Sequence, residues 1–301
     1  MDLDLSAIVA IKAEIPDDAM SAALLGTERT GHGVRIREDG LIVTIGYVIH
    51  EAERLWLTSS DGMAVPGFVV GYDFDSGLGL VKPTMALRGP VMALGSASSL
   101  AVGDDVFIAS SRSREPLDAH VVAKEEFAGR WEYLLDEAIF TAPHHDSWSG
   151  AALINTRGEL CGIGSLVIQG FEVRDRTMTV NMFVPIDLIK PIIEEVCEYG
   201  RKLAPPRPWL GMLVQDDQEK LLVVGVYPNC PAHKAGLRPG DIILRIDDAP
   251  VEGLAQMFRQ IWSLGSAGVE IPMSILRESK EISKVVHSGD RVAFQRIGTV
   301  Q

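Results

Sequence analysis

The run Ser147-Trp148-Ser149-Gly150-Ala151 sets a serine hydroxyl directly before a Gly-Ala pair. A serine attacks a carbonyl only when a neighbouring base removes its proton, and that base must come within about 3 Å. Four histidines come into question. His144 and His145 directly precede the run, while His50 and His120 lie farther away. No spacing in the sequence sets any of them against Ser149, and all four read as loop or surface residues. Asp73 and Asp75 read as turn residues rather than as acids that orient a base. Asp146 would bring negative charge close to a forming oxyanion, which is the wrong sign for stabilising it.

Other chemistry is thinly represented. Cys161, Cys197 and Cys230 are an odd, widely spaced set. That is neither a disulfide framework nor a zinc pattern, so buried inert thiols are expected, with no metal and no cofactor. A formal net charge of −13 argues against nucleic acid and anionic membranes as partners, since both require clustered Lys and Arg. The acidity reads as a solubility feature. The start, Met1-Asp2-Leu3-Asp4-Leu5, has acids where a secretory signal would have basic residues. Apolar runs such as 41–49 fall far short of a membrane span. The expected compartment is the cytoplasm, or the periplasm if the N-terminus has been trimmed.

A serine needs a scaffold, and residues 8–203 supply a β-rich one. Short apolar runs at 33–36, 41–45, 54–58, 67–71 and 105–109 alternate with turn pairs such as Asp39-Gly40, Asp61-Gly62 and Arg157-Gly158. Many short strands at regular spacing predict a barrel or sandwich. Leu188, Ile189, Ile192, Ile193 and Val196 predict a helix within 186–199, regular from about Leu188 because of Pro191, with Gly200 as its stop. The Pro-rich stretch 204–208 predicts a stiff linker. Beyond it, strands are expected at 209–214, 221–227, 241–246 and 270–276, and helices at 231–235 and 252–262.

The stretch from Asn229 to Ile246, with Ala235-Gly236-Leu237-Arg238-Pro239-Gly240-Asp241 at its centre, resembles a PDZ domain of the kind attached to bacterial proteases of the HtrA family. Residues 1–203 resemble the trypsin-like protease domain of the same family. The matching segments are Val43 to Ile49, Asp73 to Lys82 and the Ser149 loop. The expected architecture is mainly β: a trypsin-like double β-barrel over 1–203, a linker over 204–208, and an α+β PDZ domain with a C-terminal tail over 209–301.

Carried over residue by residue, the resemblance puts Ser149 at the nucleophile position. Tyr47 falls where the base histidine would stand and Gly77 where the orienting aspartate would stand. Ser147 replaces an oxyanion-loop glycine, with the bulky Trp148 beside it. A phenol with a pKa of about 10 is a poor base at neutral pH, and glycine orients nothing. The resemblance therefore implies a pseudoprotease, catalytically idle, that binds peptide or protein C-termini. Two alternatives stay open: an active serine endopeptidase using a non-standard base, and a regulatory or structural partner of an active protease. The groove residues it implies are Trp209, Leu210, Gly211 and Met212 in the carboxylate-binding loop, with Leu254, Met257, Phe258 and Ile261 on a helix. A homo-oligomer is also allowed by the resemblance alone.

Overall fold

The computed structural model describes residues 3–217 and 220–295, so positions 296–301 of the expected tail lie outside the described residues. The chain divides into two compact units. The first holds residues 3–126 and Leu135–Leu203; the second holds Phe127–Leu134 and the described residues from Ala204 onward.

The first unit contains two closed six-stranded barrels. One is built from β1 (Ile8–Glu14), β2 (Glu28–Arg35), β3 (Ile42–Ile45), β4 (Arg54–Thr58), β5 (Ala64–Tyr72) and β6 (Leu78–Pro83), in the order β1-β2-β3-β6-β5-β4. The other uses β7 (Asp105–Ala109), β8 (Leu117–Gly129), β9 (Tyr133–Ala142), β10 (Ala152–Asn155), β11 (Leu160–Val173) and β12 (Arg176–Pro185), in the order β10-β11-β12-β9-β8-β7. The period-2 pattern explains the closure. In β4, Leu55 and Leu57 are buried while Arg54 and Trp56 face out. Closure pairs every strand on both sides and leaves no free edge. Short helical turns punctuate the first barrel at α1 (Ala22–Leu25) and α2 (Gly46–Ile49).

The helix expected within 186–199 is broken. Residues Ile186–Leu188 and Lys190–Ile192 form 3₁₀ turns, and only α3 (Ile193–Tyr199) is a regular α-helix. Pro191 is the reason: it has no N–H to give and its ring crowds the preceding turn. The helix ends at Gly200 as expected.

The second unit is a six-stranded sheet. Its strands are β13 (Met212–Asp217), β14 (Lys220–Val226), β15 (Ile242–Ile246), β16 (Ala249–Pro250), β17 (Glu270–Arg277) and β18 (Lys280–His287). The order is β13-β14-β15-β17-β18, with β16 beside β15. Helices α4 (Pro231–Lys234) and α5 (Leu254–Ser263) accompany it. The sequence did not disclose β18, whose burial alternates around charged residues. Asp241 shows how the Leu-Arg-Pro-Gly-Asp turn is locked. Its buried carboxylate accepts from Arg277 Nε at 2.6 Å, Arg277 Nη2 at 2.7 Å and the Arg238 N–H at 2.8 Å. Arg277 also donates to the Gly236 carbonyl, tying the end of α4 to β17.

Candidate functional site

Ser149 lies in the loop before β10, and backbone contacts hold that loop from both sides. The His32 N–H donates to Ser149 O at 2.8 Å, and the Gly150 N–H donates to Gly164 O at 2.8 Å. Gly150 has φ +79°, and a Cβ there would collide with the His32 carbonyl, so only glycine lets the loop come this close to β2. The Ser149 hydroxyl oxygen is shut away from solvent, and among the described residues no histidine or carboxylate hydrogen-bonds to it.

Tyr47 lies in α2, a turn held by Arg29, which donates to Tyr47 O at 2.9 Å and to His50 O at 3.1 Å. The Tyr47 hydroxyl donates to the Ser165 carbonyl at 2.8 Å. Burial pushes the phenol up to about 12, and hydrogen bonding with neighbouring Ser149 and Trp148 opposes that rise. At neutral pH it is a fixed donor, not a base. Gly77 is left-handed at φ +74°. Its N–H goes to Asp73 O, and its carbonyl accepts from Gly46 N.

The remaining candidate acids and bases have other attachments. Asp73 is buried, accepts from Ser76 N and lies 3.6 Å from Lys202 Nζ; Asp75 also pairs with Lys202. The buried His50 ring sits edge-on to Tyr72 and Phe74. His120 pairs with Asp105, and His144 with Asp146. His145 Nδ1 accepts the Ser147 N–H at 3.0 Å, and its Nε2 lies 3.2 Å from Ser113 Oγ. That bond turns Ser147's amide towards a ring nitrogen instead of leaving it for a developing oxyanion. His32, which the sequence reading passed over, is buried with Nδ1 2.8 Å from Ser111 Oγ. Burial, then Arg112 and His145, lower it to about 4. It is neutral at physiological pH.

Of the three cysteines, Cys161 and Cys230 are buried, whereas Cys197 is only half-buried, correcting the expectation of buried thiols, because it lies at the edge of the α3 face that buries Ile193 and Val196; all three are free thiols. Burial raises each of them. Among the described residues no group of three His, Cys, Asp or Glu is arranged to hold a metal ion, and no described helix is long and apolar enough to cross a membrane.

In the second unit, Trp209 pairs its backbone with Gly289 in both directions, at 3.0 and 2.9 Å, so its N–H is taken. The next three amides converge on one carboxylate, that of Glu132. Leu210 N donates to Oε2 at 2.9 Å, Gly211 N to Oε1 at 2.7 Å, and Met212 N to Oε1 at 3.1 Å. Glu132 is buried; burial raises its carboxyl, and the three N–H groups and Arg291 oppose that rise. On α5, Met257, Phe258 and Ile261 are buried in one cluster with Leu210 and Met212, and Leu254 packs against it half-buried. Glu132 also escaped the sequence reading, because a lone glutamate between strands carries no signal of its partner.

Comparison with known proteins fits this geometry. The Trypsin-like peptidase domain family matches residues 31–163, and the PDZ domain family matches residues 208–286. The "Probable periplasmic serine endoprotease DegP-like" of Chlamydia trachomatis is 26% identical over 84% of this chain and 52% of its own length. The protein of the same description from Hahella chejuensis is 28% identical over 87% of this chain and 57% of its own. The chain thus spans about half the length of these curated relatives. Serine endoprotease DegS of Haemophilus influenzae is 27% identical over 85% of this chain and 76% of its own. Among solved structures, the serine endoprotease from Yersinia pestis superposes with a TM-score of 0.55 at 25% identity over 95% of each chain. The HtrA-type protease AlgW with tripeptide gives 0.55 at 21%, covering 95% of this chain and 94% of its own, which shows the fold.

The chain is therefore a trypsin-like double barrel followed by a PDZ domain. DegP-like and DegS proteins and an HtrA-type protease are among the proteins it is similar to.

Proposed function

We propose that this chain is a non-hydrolytic member of that group, which binds peptide or protein C-termini through its PDZ domain. One observation carries the reading: the Ser149 hydroxyl is enclosed with no histidine or carboxylate bonded to it among the described residues, while the neighbouring Tyr47 phenol directs its proton to Ser165 O. A nucleophile with no base and no access has no route to an acyl-enzyme. Ser147's amide, turned to His145, supports the same reading from the oxyanion side. The PDZ assignment of residues 208–286 supports the binding half.

The relatives' descriptions as periplasmic favour that compartment over the cytoplasm. A homo-oligomer belongs to the proposal on the strength of the resemblance, and sedimentation of the purified chain tests it. The hydrolytic half is tested with a fluorophosphonate probe and casein. No labelling and no turnover above background are expected. Labelling of the natural chain that Ser149→Ala abolishes would establish the rival reading, an active endopeptidase.

A further inference from the structure

The carboxylate-binding loop of the second unit already holds a carboxylate. Glu132 lies between β8 and β9, in the segment Phe127–Leu134 that belongs to the second unit. Its side chain takes the three consecutive amides of Leu210, Gly211 and Met212. A peptide C-terminus needs the same donors, because a terminal carboxylate is recognised by a nest of backbone N–H groups.

Two further contacts extend the mimicry. The Val214 N–H donates to Arg130 O at 2.9 Å, so the segment also pairs with β13, which has β14 on its other side. An added peptide strand would use that same side. Leu134 is buried in the cluster that contains Leu210, Met212, Phe258 and Ile261, which is apolar surface a C-terminal side chain would otherwise seek. Carboxylate, strand pairing and apolar anchor thus all come from one short stretch. Glu132 itself is left-handed at φ +59°, the bend that turns its side chain into the loop's position for a terminus.

We infer that residues 130–134 are an internal ligand of the PDZ groove, with the Glu132 side chain standing in for a terminal carboxylate, so that an incoming peptide C-terminus must displace them. The inference rests on the peptide-binding reading above. A tethered ligand acts at an effective concentration on the order of millimolar. If the segment's own intrinsic Kd for the groove is about 100 μM, its closed form dominates by about tenfold, and an incoming peptide is weakened by that same factor.

The test uses the full chain, its Glu132→Ala variant and its milder Glu132→Gln variant. The probes are labelled decapeptides ending in free Val, Leu, Phe or Tyr, read by fluorescence anisotropy. Amide hydrogen exchange at Leu210, Gly211, Met212 and Val214 is followed in parallel without peptide. Binding at least about tenfold tighter in Glu132→Ala, with an intermediate gain in Glu132→Gln, supports the inference, as does faster exchange at those amides in the variants. Equal peptide affinity in all three proteins overturns it while leaving the peptide-binding reading intact. Exchange unaltered by either substitution also overturns it. If no peptide binds any form but exchange depends on Glu132, the internal ligand stands and the peptide-binding reading falls.

Discussion

The hydroxyl of Tyr47, just past β3 of the first barrel, donates at 2.8 Å to the carbonyl of Ser165 in β11 of the second. On the proposed reading that bond takes the place of a catalytic base, and it serves structure. Tyr47→Phe removes a donor and leaves a carbonyl without it. The expected loss is about 1–2 kcal/mol, the usual range for a part-buried hydrogen bond. Urea denaturation of the two proteins measures it, and an unchanged midpoint would show that the bond contributes nothing to stability.

On the proposed reading, placing a histidine at Tyr47 and an aspartate at Gly77 should not yield an enzyme. Tyr47→His with Gly77→Asp rebuilds a base and an acid on paper. Gly77 has φ +74°, however, a conformation that costs an aspartate about 1 kcal/mol or more. Ser147's amide remains bonded to His145 and the Ser149 oxygen remains enclosed. The double variant should be slightly less stable than the natural chain and show at most weak fluorophosphonate labelling. Turnover of casein comparable with an active relative would show that the loop can open.

These obstacles differ in how far the sequence disclosed them. Strand periodicity made a barrel or sandwich legible, and the resemblance, carried for the second unit by the local Ala235-to-Asp241 pattern, resolved it into two barrels and a PDZ fold. The roles proposed for Tyr47 and Gly77 rest on the resemblance alone. What Tyr47 bonds to was not legible, since Ser165 is 118 positions away. His145 is a loop residue as expected, but its acceptance of the Ser147 amide two positions on is not legible in the sequence. The part played by 130–134 was hidden for the same reason as Ser165. Arg130-Trp131-Glu132 reads as an ordinary hairpin tip, and only tertiary placement joins it to Leu210 and Val214.

His32 gives the first unit a definite acid sensitivity. Burial, with Arg112 and His145 nearby, depresses it from 6.5 to about 4. The unfolded chain then binds more protons than the folded one between those values. Stability is fully present above pH 6.5 and is lost as pH falls through about 4. This one group contributes on the order of 3 kcal/mol across that window. Denaturation midpoints at intervals from pH 7 to pH 4 should decline, and His32→Asn should flatten the slope whatever its effect at pH 7. An equally steep decline in His32→Asn would assign the sensitivity to other groups, with the similarly depressed His145 the next to examine.

The second unit without its borrowed segment provides the last prediction. A fragment of residues 207–295 lacks Phe127–Leu134 but keeps the six-stranded sheet, α4 and α5. It also keeps Arg207, whose guanidinium stacks 4.1 Å over Trp262 and fastens the start of the fragment to α5. It should fold, with a lower melting temperature than the second unit of the full chain, because removing Leu134 opens an apolar gap in the cluster. Freed of Glu132, the amides of Leu210, Gly211 and Met212 can meet a peptide carboxylate. Peptides ending in an apolar residue should bind with a Kd of roughly micromolar, since a short added strand buries little surface and must be ordered on binding. Amidating the peptide terminus should remove most of that affinity, as those amides then lose their anion. Titration of the same peptides into fragment and full chain makes the comparison, with about tenfold tighter binding expected for the fragment. Binding no tighter than to the full chain, or equal binding of acid and amide peptides, would mean that these amides do not read a terminus, and the convergence of three N–H groups on Glu132 would then be a fastening of the hairpin tip alone.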